Sequence, residues 1–207
     1  MIAWAVLRAA AIGVPLGALT GMPLGVINIA IVDAATAGRR RFAVGLGLGG
    51  GAADAVHAML GFGGVGRVVT DDPELVRVLA IAATVVILAY AVFAWRYRRR
   101  PGAATRDDQP GQVRVLHGAA TGFLLTAPNP AALGAWVALA AAVWPHAAFF
   151  EAAGLAAGVC TGSMLWFSSL ARWISRVRPD HPLLTVIPRV ALVLLVASAL
   201  VGAYRAL

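Results

Sequence analysis

Long runs of apolar residues dominate the chain, and short polar segments separate them. A helix rises about 1.5 Å per residue, so roughly 20 apolar residues are needed to cross a bilayer core. Six runs meet this length, at approximately residues 2–32, 42–69, 75–97, 115–144, 147–173 and 183–204. The pattern predicts an all-α polytopic membrane protein with about six transmembrane helices. No polar segment is long enough for a second domain, so residues 1–207 are read as one transmembrane domain.

Composition excludes a soluble globular domain. Hydrophobic residues make up 60% of the chain, charged residues only 13%, and the mean hydropathy is +0.82. That leaves too little polar surface to cover a water-soluble protein of this size.

The distribution of arginine predicts the orientation of the spans. All 17 basic residues are Arg, and thirteen of them flank the predicted spans on one side, against four on the other. The positive-inside rule therefore places both termini outside the cytoplasm. Because the arginines flank apolar spans and line no folded basic face, the net charge of +8 does not indicate nucleic-acid binding.

Glycine recurs at helical spacing in several spans. Small residues on one helix face let a neighbouring backbone approach closely in lipid. Such a face can pack against another helix of the same chain or form the interface of a homodimer. It can also allow helices to slide past each other when the two halves of a transporter rock. The glycines concerned are Gly13, Gly17, Gly21 and Gly25 in the first span, Gly45, Gly47, Gly49, Gly50 and Gly51 in the second, and Gly154, Gly158 and Gly162 in the fifth.

Prolines interrupt the first and fourth spans. Each proline leaves polar backbone groups without helical partners, and such groups cannot face lipid. At 1.5 Å per residue, Pro23 and Asn129 lie roughly 20 Å from the predicted cytoplasmic ends, close to the level of Asp54. An ordinary kink is one interpretation, and a substrate site between discontinuous helices is the other. The predicted substrate-binding residues are Pro23, Asn28, Thr126, Asn129 and Pro130.

Three ionisable residues are candidates for proton coupling. Asp54 is costly to place inside a membrane, where acids are commonly functional. His57 lies three residues further along the same helix face and could share a proton with it. Asp33, near the cytoplasmic end of the first span, is the third candidate, although it could equally pair with an arginine of Arg39 to Arg41. A structural acid bonded to a neighbouring helix is the alternative for Asp54.

Signatures of an enzyme, a cofactor or a metal site are absent from the sequence. The glycine cluster is not followed by the Gly-Lys-Ser/Thr of a phosphate loop. The histidines lack zinc-site spacing, and the single Cys160 sits in an apolar span. Ser163, Ser168 and Ser169 have no His or Asp nearby in the sequence. The chain is therefore predicted not to be an enzyme and to hold no cofactor.

Several short motifs resemble the lysine-exporter-type translocators, the LysE/RhtB group, over essentially the whole chain. The matching segments are Met22–Pro23 followed by Gly38–Arg39–Arg40, Ala53–Asp54 with His57, and Gly122–Phe123–Leu124–Leu125 leading to Asn129–Pro130. Three positions depart from the family pattern. Met22 and Ala53 replace glycines, and Ala131 stands where a lysine is common.

The resemblance implies a secondary active exporter of amino acids or related small metabolites, driven by an ion gradient, with protons as the expected coupling ion. The expected location is the cytoplasmic membrane of a bacterium. Two halves of three spans, each with a broken first helix, would have opposite orientations, as inverted repeats require. A non-transporting subunit of a membrane assembly is the alternative function.

Overall fold

The computed structural model describes residues 2–22, 25–98 and 111–176, together with scattered helical positions between residues 186 and 204. These residues form helices joined by short turns, with no strand among them, which confirms the all-α fold. The helices are α1 (Ile2–Gly21), α2 (Val26–Thr36), α3 (Arg40–Phe62), α4 (Val65–Thr70), α5 (Pro73–Arg98), α6 (Gly111–Thr126), α7 (Pro130–Val143) and α8 (Phe149–Ile174).

Five predicted spans correspond to these helices, and several of them are divided. The first span is divided into α1 and α2, the second into α3 and α4, and the fourth into α6 and α7. By length and hydropathy, α1, α3, α5 and α8 can each cross a membrane, and α6 with α7 form a fifth candidate bent by 74°. The predicted span 183–204 lies mostly outside the described residues. The number six therefore stays a prediction.

A glycine turn ends α2 and directs the chain into α3. Gly38 has a left-handed φ of 78°, which glycine adopts without a Cβ clash. The N–H of Arg39 donates to the Ala34 carbonyl (2.9 Å) and the N–H of Gly38 to that of Ala35 (3.1 Å). These two bonds satisfy the last carbonyls of α2 and bring Arg39 back over its final turns.

Helix α3 lies at the centre of the described bundle, in contact with α2, α6, α7 and α8. Two apolar clusters surround it. The first contains Ile31, Leu46, Leu125 and Phe167, and the second contains Phe62, Trp136, Leu155 and Val159.

Glycine faces join α1 to α8 and α3 to α6 at backbone contact. In the first pair Gly13 meets Gly158, and in the second Gly45 meets Gly118. Successive contacts advance in the same direction along both helices of each pair, so both pairs are parallel. The glycine faces of the first and fifth spans thus pack inside one chain. The homodimer stays a prediction.

Replacing a glycine in these contacts should destabilise the protein. A Cβ on Gly158 would lie 2.8 Å from Gly13 Cα and 2.9 Å from the Ala10 carbonyl carbon, and backbone atoms cannot rotate aside. We expect Gly158→Ala to cost about 1–3 kcal/mol, as overpacking does, and to lower the thermal midpoint in detergent.

Gly134→Ala in α7 is the matched control, because a Cβ there meets no described atom within 4 Å. It should be neutral or stabilising by up to about 1 kcal/mol. Equal losses for both variants would contradict the importance of the glycine contacts.

Candidate functional site

The break between α1 and α2 is held by Asn28. This side chain is 3% exposed. Its amide nitrogen donates to the Gly21 carbonyl at the end of α1 (2.8 Å), and its Oδ1 accepts from Trp166 Nε1 on α8 (3.2 Å). Asn28 therefore satisfies the end of one helix and ties it to another. The predicted site residue Pro23 lies outside the described residues.

The break between α6 and α7 follows from two prolines that lack an N–H. Asn129 is the N-cap of α7, and its Oδ1 accepts from the backbone N–H groups of Ala131 (3.1 Å) and Ala132 (3.4 Å). Pro130 takes the first helical position, where no donor is needed. Because Asn129 occupies the Ala131 N–H, the Ala127 carbonyl must find another donor.

That donor is His57 on α3, whose Nε2 lies 3.0 Å from the Ala127 oxygen. A carbonyl only accepts, so Nε2 carries the proton. His57 is 2% exposed, and its Nδ1 has no hydrogen-bond partner among the described residues. The hydroxyl of Thr126, next to Ala127 and 8% exposed, likewise has none there. Two predicted site residues thus present buried polar atoms at the second break.

Asp54 faces α8, where its carboxylate is close enough to the Ser163 side chain to interact with it. Ser163 is fully buried, and its hydroxyl also lies 3.2 Å from the Gly17 carbonyl of α1, to which it donates. Cys160 is close enough to interact electrostatically with Asp54. Ser163, which has no His or Asp near it in the sequence, therefore lies beside an aspartate, because tertiary packing brings α3 and α8 together.

Asp54 lies between the two breaks along α3. Gly50 faces Ile27, just after the first break, and His57 reaches Ala127 in the second. These positions are seven residues apart, roughly 10 Å along the helix. The sequence predicts that the two breaks and Asp54 lie at one depth in the membrane. Along α3 the two breaks are instead separated by roughly 10 Å, with Asp54 between them.

Asp33 forms a separate buried cluster with Arg39. The two side chains are 0% and 5% exposed, and Arg39 Nη2 lies 3.1 Å from Asp33 Oδ2. Tyr90 on α5 donates to the Ala30 carbonyl (3.0 Å) with its hydroxyl 3.5 Å from the same carboxylate. The guanidinium also stacks on Phe42 and Phe93, at 5.0 and 5.4 Å from the ring centres. Of the two interpretations of Asp33, the structure shows pairing with Arg39, and a role in proton coupling stays a prediction.

The structure thus collects Asp54, His57, Thr126 and Asn129 along α3 and the second break, and places Asn28 at the first. Sequence reasoning missed Ser163 and Trp166, which contact Asp54 and Asn28. Trp166 carried a signal, since it lies in the middle of a span and not at an interfacial end. Among the described residues no group of three or more His, Cys, Asp or Glu side chains could hold a metal ion.

Helices of membrane-spanning length around two interrupted helices define a multi-pass α-helical membrane protein. The family model for the LysE type translocator matches residues 18–203. Because this match covers most of the chain, the protein belongs to the LysE type translocator family, as its motifs indicated, and it is a membrane transporter. No curated protein and no solved structure shows significant similarity to the chain.

Breaking the Asp33–Arg39 pair should be more damaging than removing both charges. Asp33→Asn leaves a buried guanidinium without its counter-charge, which costs about 3–5 kcal/mol. The double variant Asp33→Asn, Arg39→Gln removes the charge as well and should recover part of that loss in thermal midpoint. Arg40→Gln is the control, because Arg40 is exposed. Additive losses in the double variant would contradict a direct pair.

Asn129 should tolerate a change that keeps its acceptor. Asn129→Ala removes the cap of α7 and should cost about 0.5–2 kcal/mol, whereas Asn129→Asp retains an oxygen for the Ala131 N–H. Thermal midpoints of the two variants measure the difference. If the thermal midpoints of both variants fall equally, Asn129 does not stabilise the protein by capping α7.

Proposed function

We propose that the protein is a secondary active exporter of amino acids or related small metabolites, and that protons drive it. Membership of the LysE type translocator family supports transport of this substrate class. The observation that carries the coupled mechanism is the position of Asp54, an acid on a glycine-rich helix between two interrupted helices. Interrupted helices offer backbone groups and helix ends to a substrate, as in other secondary transporters.

The packing supports the proposed inverted repeats. The first predicted span packs in parallel on the fifth, and the fourth packs in parallel on the second. If residues 2–97 and 115–204 are two three-span halves, the broken first helix of each half packs on the second helix of the other. Such crossed pairing is what a two-fold relation between the halves would produce, and rocking of one half on the other would expose the site to each side in turn.

The proposed coupling uses the single proton of the Ser163 hydroxyl. In the proposed protonated state of Asp54, Ser163 donates to the Gly17 carbonyl, as it does in the structure, and can accept from the acid. When Asp54 is ionised, it only accepts, so Ser163 must turn its proton to the carboxylate and release Gly17. The α1–α8 contact near the first break then weakens. Loss of a proton from Asp54 would thereby change how firmly α1 is held.

We propose the cytoplasmic membrane of a bacterium as the location, with both termini outside the cytoplasm, as the arginine distribution predicts. A non-transporting assembly subunit is the competing function, and family membership favours the exporter over it.

The proposal is tested by efflux from loaded vesicles, with a panel of amino acids and with or without a proton gradient. Wild type should export at least one compound faster with the gradient. Asp54→Asn should reduce this efflux to the rate without a gradient, since the amide cannot exchange a proton. Ser163→Ala should also lower the gradient-driven rate, because the acid then has no hydroxyl to redirect.

Asp71→Asn, which alters an exposed acid before α5, should leave efflux unchanged. Gradient-dependent efflux that survives Asp54→Asn in folded protein would remove Asp54 from the mechanism while keeping the exporter. Absence of efflux for every compound would refute the proposed substrate class and favour the non-transporting alternative.

A further inference from the structure

Two buried polar atoms at the α6–α7 break have no role in holding the helices together. They are His57 Nδ1 and Thr126 Oγ1, on side chains that are 2% and 8% exposed. The two side chains are neighbours of Ala127, since the other ring nitrogen of His57 binds its carbonyl and Thr126 precedes it in the chain. Neither atom has a hydrogen-bond partner among the described residues, although a buried polar group without a partner costs about 1–3 kcal/mol.

The hydrogen bond of the imidazole determines what Nδ1 can accept. Because Nε2–H donates to the Ala127 carbonyl, Nδ1 of the neutral ring carries a lone pair and no proton. The Thr126 hydroxyl can accept beside it. The pair is therefore suited to a ligand group that donates two or more hydrogen bonds.

The charge around this pair favours a cation. Thr126 is the last residue of α6, and the C-terminal end of a helix carries partial negative charge. Pro128 has no N–H, so it cannot satisfy the Leu124 carbonyl four residues earlier. Asp54 lies one turn before His57 on α3, and neither α7 nor the rest of α3 beyond Arg41 carries an arginine.

We infer that His57 Nδ1 and Thr126 Oγ1 bind the primary ammonium group of the transported substrate. This assignment rests on the proposed function and adds which end of the substrate the α6–α7 break receives. His57 then has two tasks on opposite sides of its ring: Nε2–H positions the broken helix, and Nδ1 accepts from the ligand. The ring stays neutral during transport, and Asp54 carries the proton.

Two substitutions of His57 separate these tasks. The amide nitrogen of glutamine can reach the position of Nε2 and donate to Ala127, but it leaves no acceptor at Nδ1. Asparagine places an acceptor near Nδ1 but cannot reach Ala127. His57→Gln should therefore keep the thermal midpoint and raise the KM for amino-acid efflux about tenfold or more, while His57→Asn should lower the midpoint more than His57→Gln does.

Thr126 provides an independent pair of variants. Thr126→Val keeps the shape and removes the hydroxyl, so it should raise KM about tenfold or more, and Thr126→Ser should restore it. N-acetylated forms of the exported amino acid, which lack the ammonium, should be poor substrates of wild type. The control variants are His117→Gln and Thr121→Val, which make the same two replacements at other positions, both on α6. His117 is exposed, and both controls should leave KM unchanged.

An unchanged KM in both His57→Gln and Thr126→Val, with active wild type, would overturn the inference and leave the exporter intact. Equal transport of free and N-acetylated substrate would overturn it as well. If wild type exports no amino acid, the proposed function fails. The ammonium site is then tested separately, by nitrogen NMR of ¹⁵N-histidine-labelled protein titrated with methylammonium. A shift of the His57 Nδ1 signal that Thr126→Val abolishes supports the ammonium site, and no shift refutes it.

Discussion

The structure depends on a constraint that lipid imposes on the backbone: every N–H and C=O released by a helix break must find a partner inside the protein. At the first break the side chain of Asn28 donates to the Gly21 carbonyl. At the second, the Asn129 side chain accepts from two N–H groups of α7, and His57 donates to the Ala127 carbonyl. These partners come from neighbouring helices or from the break itself. Each interruption therefore fixes the relative placement of several helices, and the buried side chains of Asn28, His57 and Thr126 lie at these two places.

Glycine makes this arrangement possible, because it lets helices approach until their backbones touch. Gly13 and Gly158 bring α1 against α8, and Gly45 and Gly118 bring α3 against α6. The first contact places the Ser163 hydroxyl within reach of the Gly17 carbonyl, a bond that a bulkier interface would prevent. Close packing in lipid thus has a chemical consequence: a buried hydroxyl on α8 donates to the backbone of α1, close to an acid on α3.

The two acids inside the helices, Asp33 and Asp54, have different surroundings, and these favour different roles. Asp33 is paired with Arg39, whose guanidinium stacks on two aromatic rings, and its carboxylate lies near the Tyr90 hydroxyl. The ion pair neutralises its charge, and the cluster joins α2 to the start of α3 and to α5. Asp54 lies beside a neutral serine, and its own helix carries no arginine beyond Arg41. An acid without a counter-charge gains more from exchanging a proton than one held in an ion pair. This contrast supports the proposal that Asp54 carries the coupled proton.

The sequence by itself determined the membrane class, five of the spans now seen as helices, the two interruptions and the glycine faces, because hydropathy, proline and glycine act through local backbone physics. It also offered pairing with one of the arginines Arg39 to Arg41 as one of two interpretations of Asp33, since these residues follow it within about one helical turn and a loop. Which arginine pairs with Asp33 was decided by the Gly38 turn. Only the tertiary structure decided that Ser163 meets Asp54 and that His57 reaches Ala127, seventy residues away. Such pairings depend on how helices are packed and rotated against each other, and no local pattern of residues encodes that directly.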